Sequence, residues 1–260
     1  MKIQIRNLNS SSTPTIFHQY SMIDSIRDFN LTIEPGKIYG LVGSFGSGGW
    51  LLSYFLAGKE ELLSECLDMS HSIITLDDHP VNNDVLKRIS CYVGEGVAEF
   101  PYRSFKTYPG PFTWKIKGVR SVADQIKEGI KRSGNPLTLE QIALLFELTG
   151  MDKPKRYQGR IYRPLEFNSG ERWRASMAIG YAFQKKLYCV PWIEPHGLFY
   201  ILGQLGRKLL GILRESGASV IIPVSDEKYI DGLADEIVYL KPYDLWKDNK
   251  TDENAIRLSE

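Results

Sequence analysis

The residues whose types and spacing suggest chemistry are Gly43-Ser44-Phe45-Gly46-Ser47-Gly48-Gly49-Trp50. Small residues at this density let backbone N–H groups curl round a phosphate, and a helix starting directly after them adds positive potential. A phosphate-binding loop of this spacing continues with Lys and then Ser or Thr. The lysine pairs with the β- and γ-phosphates, and the hydroxyl binds Mg²⁺. Here those two places hold Gly49 and Trp50. The loop's shape is kept while its cation chemistry is removed, and Trp50 is expected to stand where phosphate and metal would go.

The elements that must position this loop are legible on either side of it. Residues 37–42 read as a buried strand and residues 51–57 as the first turns of a helix. Upstream, residues 2–8 alternate like a strand, residues 10–14 read as a loop, and an apolar and aromatic stretch runs from 15 to 33. Downstream, strands are predicted over 72–76, 89–93, 187–192, 219–224 and 236–240. Residues 85–88 read as a short approach segment. Helices are predicted over 121–132, 139–148 with Thr138 as N-cap and Gly150 as stop, 167–185, 198–216 and 228–234. Pro191 and Pro223 fall inside two of these strands, against the usual preference.

Composition bounds the rest. The 260 residues carry 24% charged and 43% hydrophobic side chains, which predicts a packed core. A formal net charge of +1 gives no bulk attraction to nucleic acid or membrane. Cys66, Cys91 and Cys189 are scattered and odd in number, as expected of reduced thiols in a cytoplasmic protein. His18, His71, His79 and His196 show no metal-ligand spacing, so no metal site is expected. No apolar run approaches the ~20 residues of a membrane helix, and the N-terminus lacks a signal-peptide core. Residues 101–120 mix aromatics with Arg and Lys and hold no acidic residue. A prolyl and glycyl surface excursion that docks on another protein or lies near anionic headgroups is preferred there over single-stranded nucleic-acid binding.

The order of motifs resembles the nucleotide-binding subunit of ATP-binding cassette (ABC) transporters, over residues 2 to about 245. It runs from the glycine loop through a helical insertion to Phe167-Asn168-Ser169-Gly170-Glu171-Arg172, then a strand ending in Glu194-Pro195 and a strand ending in Ser225-Asp226. The resemblance implies an α/β, P-loop NTPase-like cassette: a mixed sheet core, a helical subdomain and an N-terminal antiparallel β portion. Its divisions would be 1–98 and 166–245 for the core, 99–165 for the helical subdomain and 246–260 for a polar tail.

By the same resemblance, Gly43, Ser44, Gly46, Ser47, Gly48, Gly49 and Trp50 occupy the Walker A loop. Glu95 takes the glutamine-loop position, Ser225 the switch-histidine position, and Phe17 or Tyr20 the adenine-stacking position. Asn168, Ser169, Gly170 and Glu171 match the signature segment, which faces the partner subunit's nucleotide in that family. Asn168 and Glu171 also fit a capping box. Ile193 replaces the Mg²⁺-linked aspartate, and 197–200 do not resemble the family's Ser-Ala-Leu-Asp loop. Glu194 matches the catalytic glutamate and is expected to be inactive alone. Trp173 and Trp192 read as packing residues.

ATP is therefore expected to bind weakly or not at all at the chain's own site, and Mg²⁺ is not expected there. The expected partners are a transmembrane transporter subunit and a second cassette subunit, at the cytoplasmic face of the membrane, with no nucleic acid. Two alternatives follow: an active ATPase using a substitute lysine such as Lys59, and a soluble scaffold.

Overall fold

The computed structural model describes residues 1–12, 24–59, 67–68, 73–101, 120–152, 159–168, 171–192 and 206–241. Two sheets organise them. The first is antiparallel and built on β1 (Ile3–Ser12), which pairs β2 (Asp24–Ile33), the short β4 (Leu67–Asp68) and β5 (Ile73–Leu76); β5 also pairs β6 (His79–Pro80). β1 is longer than predicted, because Ser10, Ser11 and Ser12 continue the ladder opposite Ile26, Ser25 and Asp24. Strict alternation buries Ile3 and Ile5, but the next buried residue is Leu8. Asn7, at φ 51°, carries the register shift that turns Leu8 inward.

The second sheet is parallel, in the order β10-β3-β9-β8-β7. Its strands are β3 (Ile38–Val42), β7 (Ser90–Tyr92), β8 (Leu187–Cys189), β9 (Ser219–Val224) and β10 (Glu236–Tyr239). Parallel strands need crossovers that cover both faces, so their side chains are apolar on both sides. Ile38, Cys91, Tyr188, Val220, Ile222 and Val224 face one core, with α3 (Val122–Ser133), α4 (Leu139–Leu145), α5 (Arg172–Ala182) and α6 (residues 206–215). Tyr39, Leu41, Tyr92, Leu187, Cys189 and Ile221 face a second core, shared with α1 (Gly49–Leu56) and the antiparallel sheet.

Several predicted bounds change. Residues 85–88 belong to a helix, α2 (Asn83–Ile89), capped by the Asn82 side chain. The 187–192 strand ends at Cys189, so Pro191 lies outside it. Pro223 does sit in β9. Val220 and Val224 bond toward β3, so the Pro223 nitrogen faces the β8 side, beyond that strand's last pair, Cys189↔Ile221. Thr138 caps α4 with a capping box to Gln141, yet α4 stops at Leu145 rather than near Gly150. The predicted 228–234 helix is only a 3-10 turn, Glu227–Tyr229. The 167–185 helix begins at Arg172 and ends at Ala182.

Candidate functional site

The chain leaves β3 at Val42 and turns through residues 43–48 into α1. Gly43 N–H donates to the Val224 carbonyl at 2.9 Å, tying the loop to the end of β9. Gly46 and Gly48 have φ of 90° and 92°, a region that penalises any Cβ. Gly48 is also closed in by β2, since a Cβ there would lie 2.8 Å from Ile26 Cβ. The Ser47 N–H and hydroxyl donate to the Ser44 carbonyl at 3.2 and 2.5 Å. Gly43, Ser44, Gly46, Ser47, Gly48, Gly49 and Trp50 thus form one strand-to-helix turn.

The lysine position has no side chain and little room for one. A Cβ on Gly49 would lie 3.0 Å from Trp192 Cδ1 and 3.2 Å from Pro223 Cβ. Trp192 closes this side of the loop. Its indole N–H points at the Gly43 carbonyl at a long 3.4 Å, and its ring meets Phe45 edge-on with centroids 5.1 Å apart. The Trp50 ring does not stand over the loop as expected. It is 1% exposed and stacks on Tyr54, one helical turn on, at 4.8 Å in the second core. Burying a large apolar ring against its i+4 neighbour outweighs leaving it at the loop mouth.

The sequence reasoning missed Asp24, the first residue of β2. Its side chain is 1% exposed. Oδ1 accepts from Gly48 N–H at 2.7 Å, and Oδ2 accepts from Leu51 N–H at 2.8 Å. Next to it, Ser25 N–H donates to the Gly46 carbonyl at 3.3 Å. Burial pushes the Asp24 carboxyl above its ordinary range, while the amides of Leu51, Gly48, Trp50 and Gly46 pull it back. The local signal was slight: an acidic residue opening an apolar strand.

Ser225 follows β9 directly and so stands at the loop end of the sheet. Glu95 follows β7, the opposite edge strand, three strand steps or about 14 Å from β3. α1 crosses the sheet between them. Beyond its far end, Lys59 pairs with the Glu95 carboxylate and lies over the Tyr54 and Tyr92 rings, 5.4 and 5.0 Å from their centroids. Lys59 is therefore separated from the loop by the eight residues of α1, about 12 Å, and does not replace the missing lysine. A cleft of about 250 Å³ opens at this end, lined by Lys59, Lys87, Tyr92, Glu95 and Pro101.

In the signature segment, Asn168 is 2% exposed and its amide donates to the Arg160 carbonyl at 3.2 Å. Glu171 is 1% exposed and accepts from the Thr149 hydroxyl at 2.6 Å and from Thr149 N–H at 3.2 Å. Arg160 and Arg174 flank it, each at 3.6 Å. The expected capping box is absent. Glu171 is itself the N-cap of α5 and makes no side-chain cap bond. Charge-assisted partners have drawn its carboxylate away from the helix end. Trp173 packs beneath the turn after β7, where a Cβ on Gly94 would lie 2.8 Å from its ring.

Phe17, Tyr20, Ser169, Gly170, Ile193, Glu194 and residues 197–200 lie outside the described residues, as do His18, His71, His196, Cys66, residues 102–119 and the 246–260 tail. His79 is exposed, with Nδ1 2.8 Å from the Asp77 carbonyl. Cys91 and Cys189 are buried free thiols. Among the described residues, no helix is long and apolar enough to cross a membrane.

No family model matches the sequence. The fold is similar to that of a solved ATP-binding subunit of an ABC transporter, with a TM-score of 0.54 and 11% identity over 93% of this chain and 87% of that one. It is also similar to a putative ABC transporter ATP-binding protein from Pyrococcus furiosus, with a TM-score of 0.53 and 17% identity over 92% of this chain and 98% of that one. The two sheets, the glycine loop between β3 and α1 and the helices on the parallel sheet are thus the fold of an ABC transporter ATP-binding cassette.

Proposed function

We propose that the chain is a cassette subunit of a membrane transporter whose own nucleotide site does not hydrolyse ATP. The observation that carries this is the start of α1. Gly49 brings no cation and has Trp192 and Pro223 against it, and Trp50 brings no hydroxyl and turns into the core. A bound ATP with Mg²⁺ would supply a transferable phosphoryl group, and that transfer depends on positioning and charge neutralisation. Removing one such electrostatic group costs about 3–4 kcal/mol of barrier. Here two are gone from the loop alone, and the residues present do not fit a metal-bound triphosphate.

Its proposed role is structural or regulatory, beside a second, intact cassette subunit. The α5 end and the signature segment, Asn168 to Glu171, would complete that subunit's site through backbone N–H groups. The buried side chains of Asn168 and Glu171 would hold the segment in place. The transmembrane subunit would meet the cleft by Lys59 and Glu95 and the basic, aromatic residues that follow it. That contact would hold the chain at the cytoplasmic face of the membrane. Copurification with a polytopic membrane protein distinguishes this role from a soluble scaffold.

Steady-state phosphate release by the isolated chain tests the central statement. Background release is expected. Turnover comparable to that of an intact cassette overturns it and restores the active-ATPase alternative.

A further inference from the structure

We propose that Asp24 is a built-in occupant of the loop's anion site, taking the amides a phosphate would take and so excluding phosphate-bearing ligands. The inference rests on the loop being of phosphate-binding type. It adds a specific agent of exclusion to the missing cations.

The first amides of a helix have no partner within it, and together with the helix dipole they make an anion site. Left-handed glycines before the helix turn further amides toward the same point. At α1 these conditions are met by Gly46, Gly48 and the amides that follow. Gly48, the N-cap of α1, has no side chain with which to cap the helix. The anion comes from β2, in the other sheet, and spans two amides with its two oxygens, at 2.7 and 2.8 Å. Both oxygens belong to a side chain that is 1% exposed, so the site is closed as well as filled. Among the described residues no ion pair reaches Asp24. The amides of Leu51, Gly48, Trp50 and Gly46 favour its charged form against the larger opposing effect of burial, and such amides are the groups a phosphate would use.

An ordinary distant helix cap would also lose stability on truncation. Anion binding separates the two cases. The full chain and D24A are compared by calorimetry and thermal unfolding with inorganic phosphate at about 10 mM, against chloride at matched ionic strength. The expected result is no phosphate effect on the unmodified chain. D24A should gain thermal stability and bind phosphate at least about tenfold more tightly than the unmodified chain. If D24A is unfolded in chloride, phosphate should restore it.

Equal phosphate binding by both proteins overturns the inference. So does a folded D24A that binds none, or an unfolded D24A that phosphate does not restore. D24N, which removes the charge and keeps the size, should follow D24A in direction. Failure here leaves the absence of turnover untouched, whereas ATP turnover by the unmodified chain overturns the earlier proposal instead.

Discussion

The starts of α1 and α5 are two helix ends beside the parallel sheet, and each has a carboxylate that is 1% exposed. The two carboxylates are used in opposite ways. Asp24 comes from a distant strand and spends both oxygens on the amides of α1 and its loop. Glu171 belongs to its own helix end, yet it turns to Thr149 and lies between Arg160 and Arg174. The α1 end is therefore consumed from within, while the α5 end carries no side-chain cap. Loss of side chains alone does not make two such ends different. What separates them is where the nearest buried carboxylate finds its cheapest partners.

The largest expected effect lies at the α5 end. In the proposed complex with an intact cassette subunit, Gly170→Trp should lower ATPase activity about 100-fold, the scale of losing a preorganised donor at a reacting centre. Phosphate release by the purified complex measures it, and unchanged release would make the α5 end as closed as the α1 end. Next, Glu171→Leu should cost about 2–3 kcal/mol in urea unfolding. It strands Thr149 and leaves the partly buried Arg174 with Glu147 alone, while the half-exposed Arg160 adds little. A loss below about 1 kcal/mol would mean those partners do not hold the carboxylate.

At the closed end, restoring the lysine should not restore the site. Gly49→Lys is expected to cost about 1–2 kcal/mol, because its Cβ meets Trp192 and Pro223, and it should leave phosphate release at background. Measurable turnover in that variant would show that only the cation was missing.

The strand, glycine turn and helix were legible because each obeys a local rule: period-two or continuous apolar burial, and glycine where φ is positive. The α4 cap was legible for the same reason, since Thr138 and Gln141 satisfy each other within four residues. What was not legible depends on distant partners. Asp24 reaches partners 24 and 27 positions further along the chain, set by how β2 lies on the loop. The Asn168–Glu171 capping box gave way to Thr149 and two arginines. α4 ends before Gly150 because Phe146 caps it and Glu147, at φ 53°, reaches Lys208 and Arg174. Trp50 obeyed the helical period, which outweighed the motif position it occupies.

The smallest effect sharpens the comparison most. Asp24→Asn keeps the size of the side chain but sets an amide N–H₂ against one backbone N–H, at a cost of about 1 kcal/mol. How that cost changes with pH reports what the carboxyl experiences. Burial, the larger influence, raises the folded carboxyl above its ordinary value of 3.8. The stability tied to that raised value is complete below the unfolded pKa and is lost as pH rises through the folded pKa. The unmodified chain's margin over D24N should therefore be widest below the ordinary value of 3.8 and shrink toward neutral pH, as read from paired urea midpoints. A margin that grows with pH would reverse the sign. The four loop amides would then outweigh burial, and the α1 end would be holding a fully charged anion more firmly than water does.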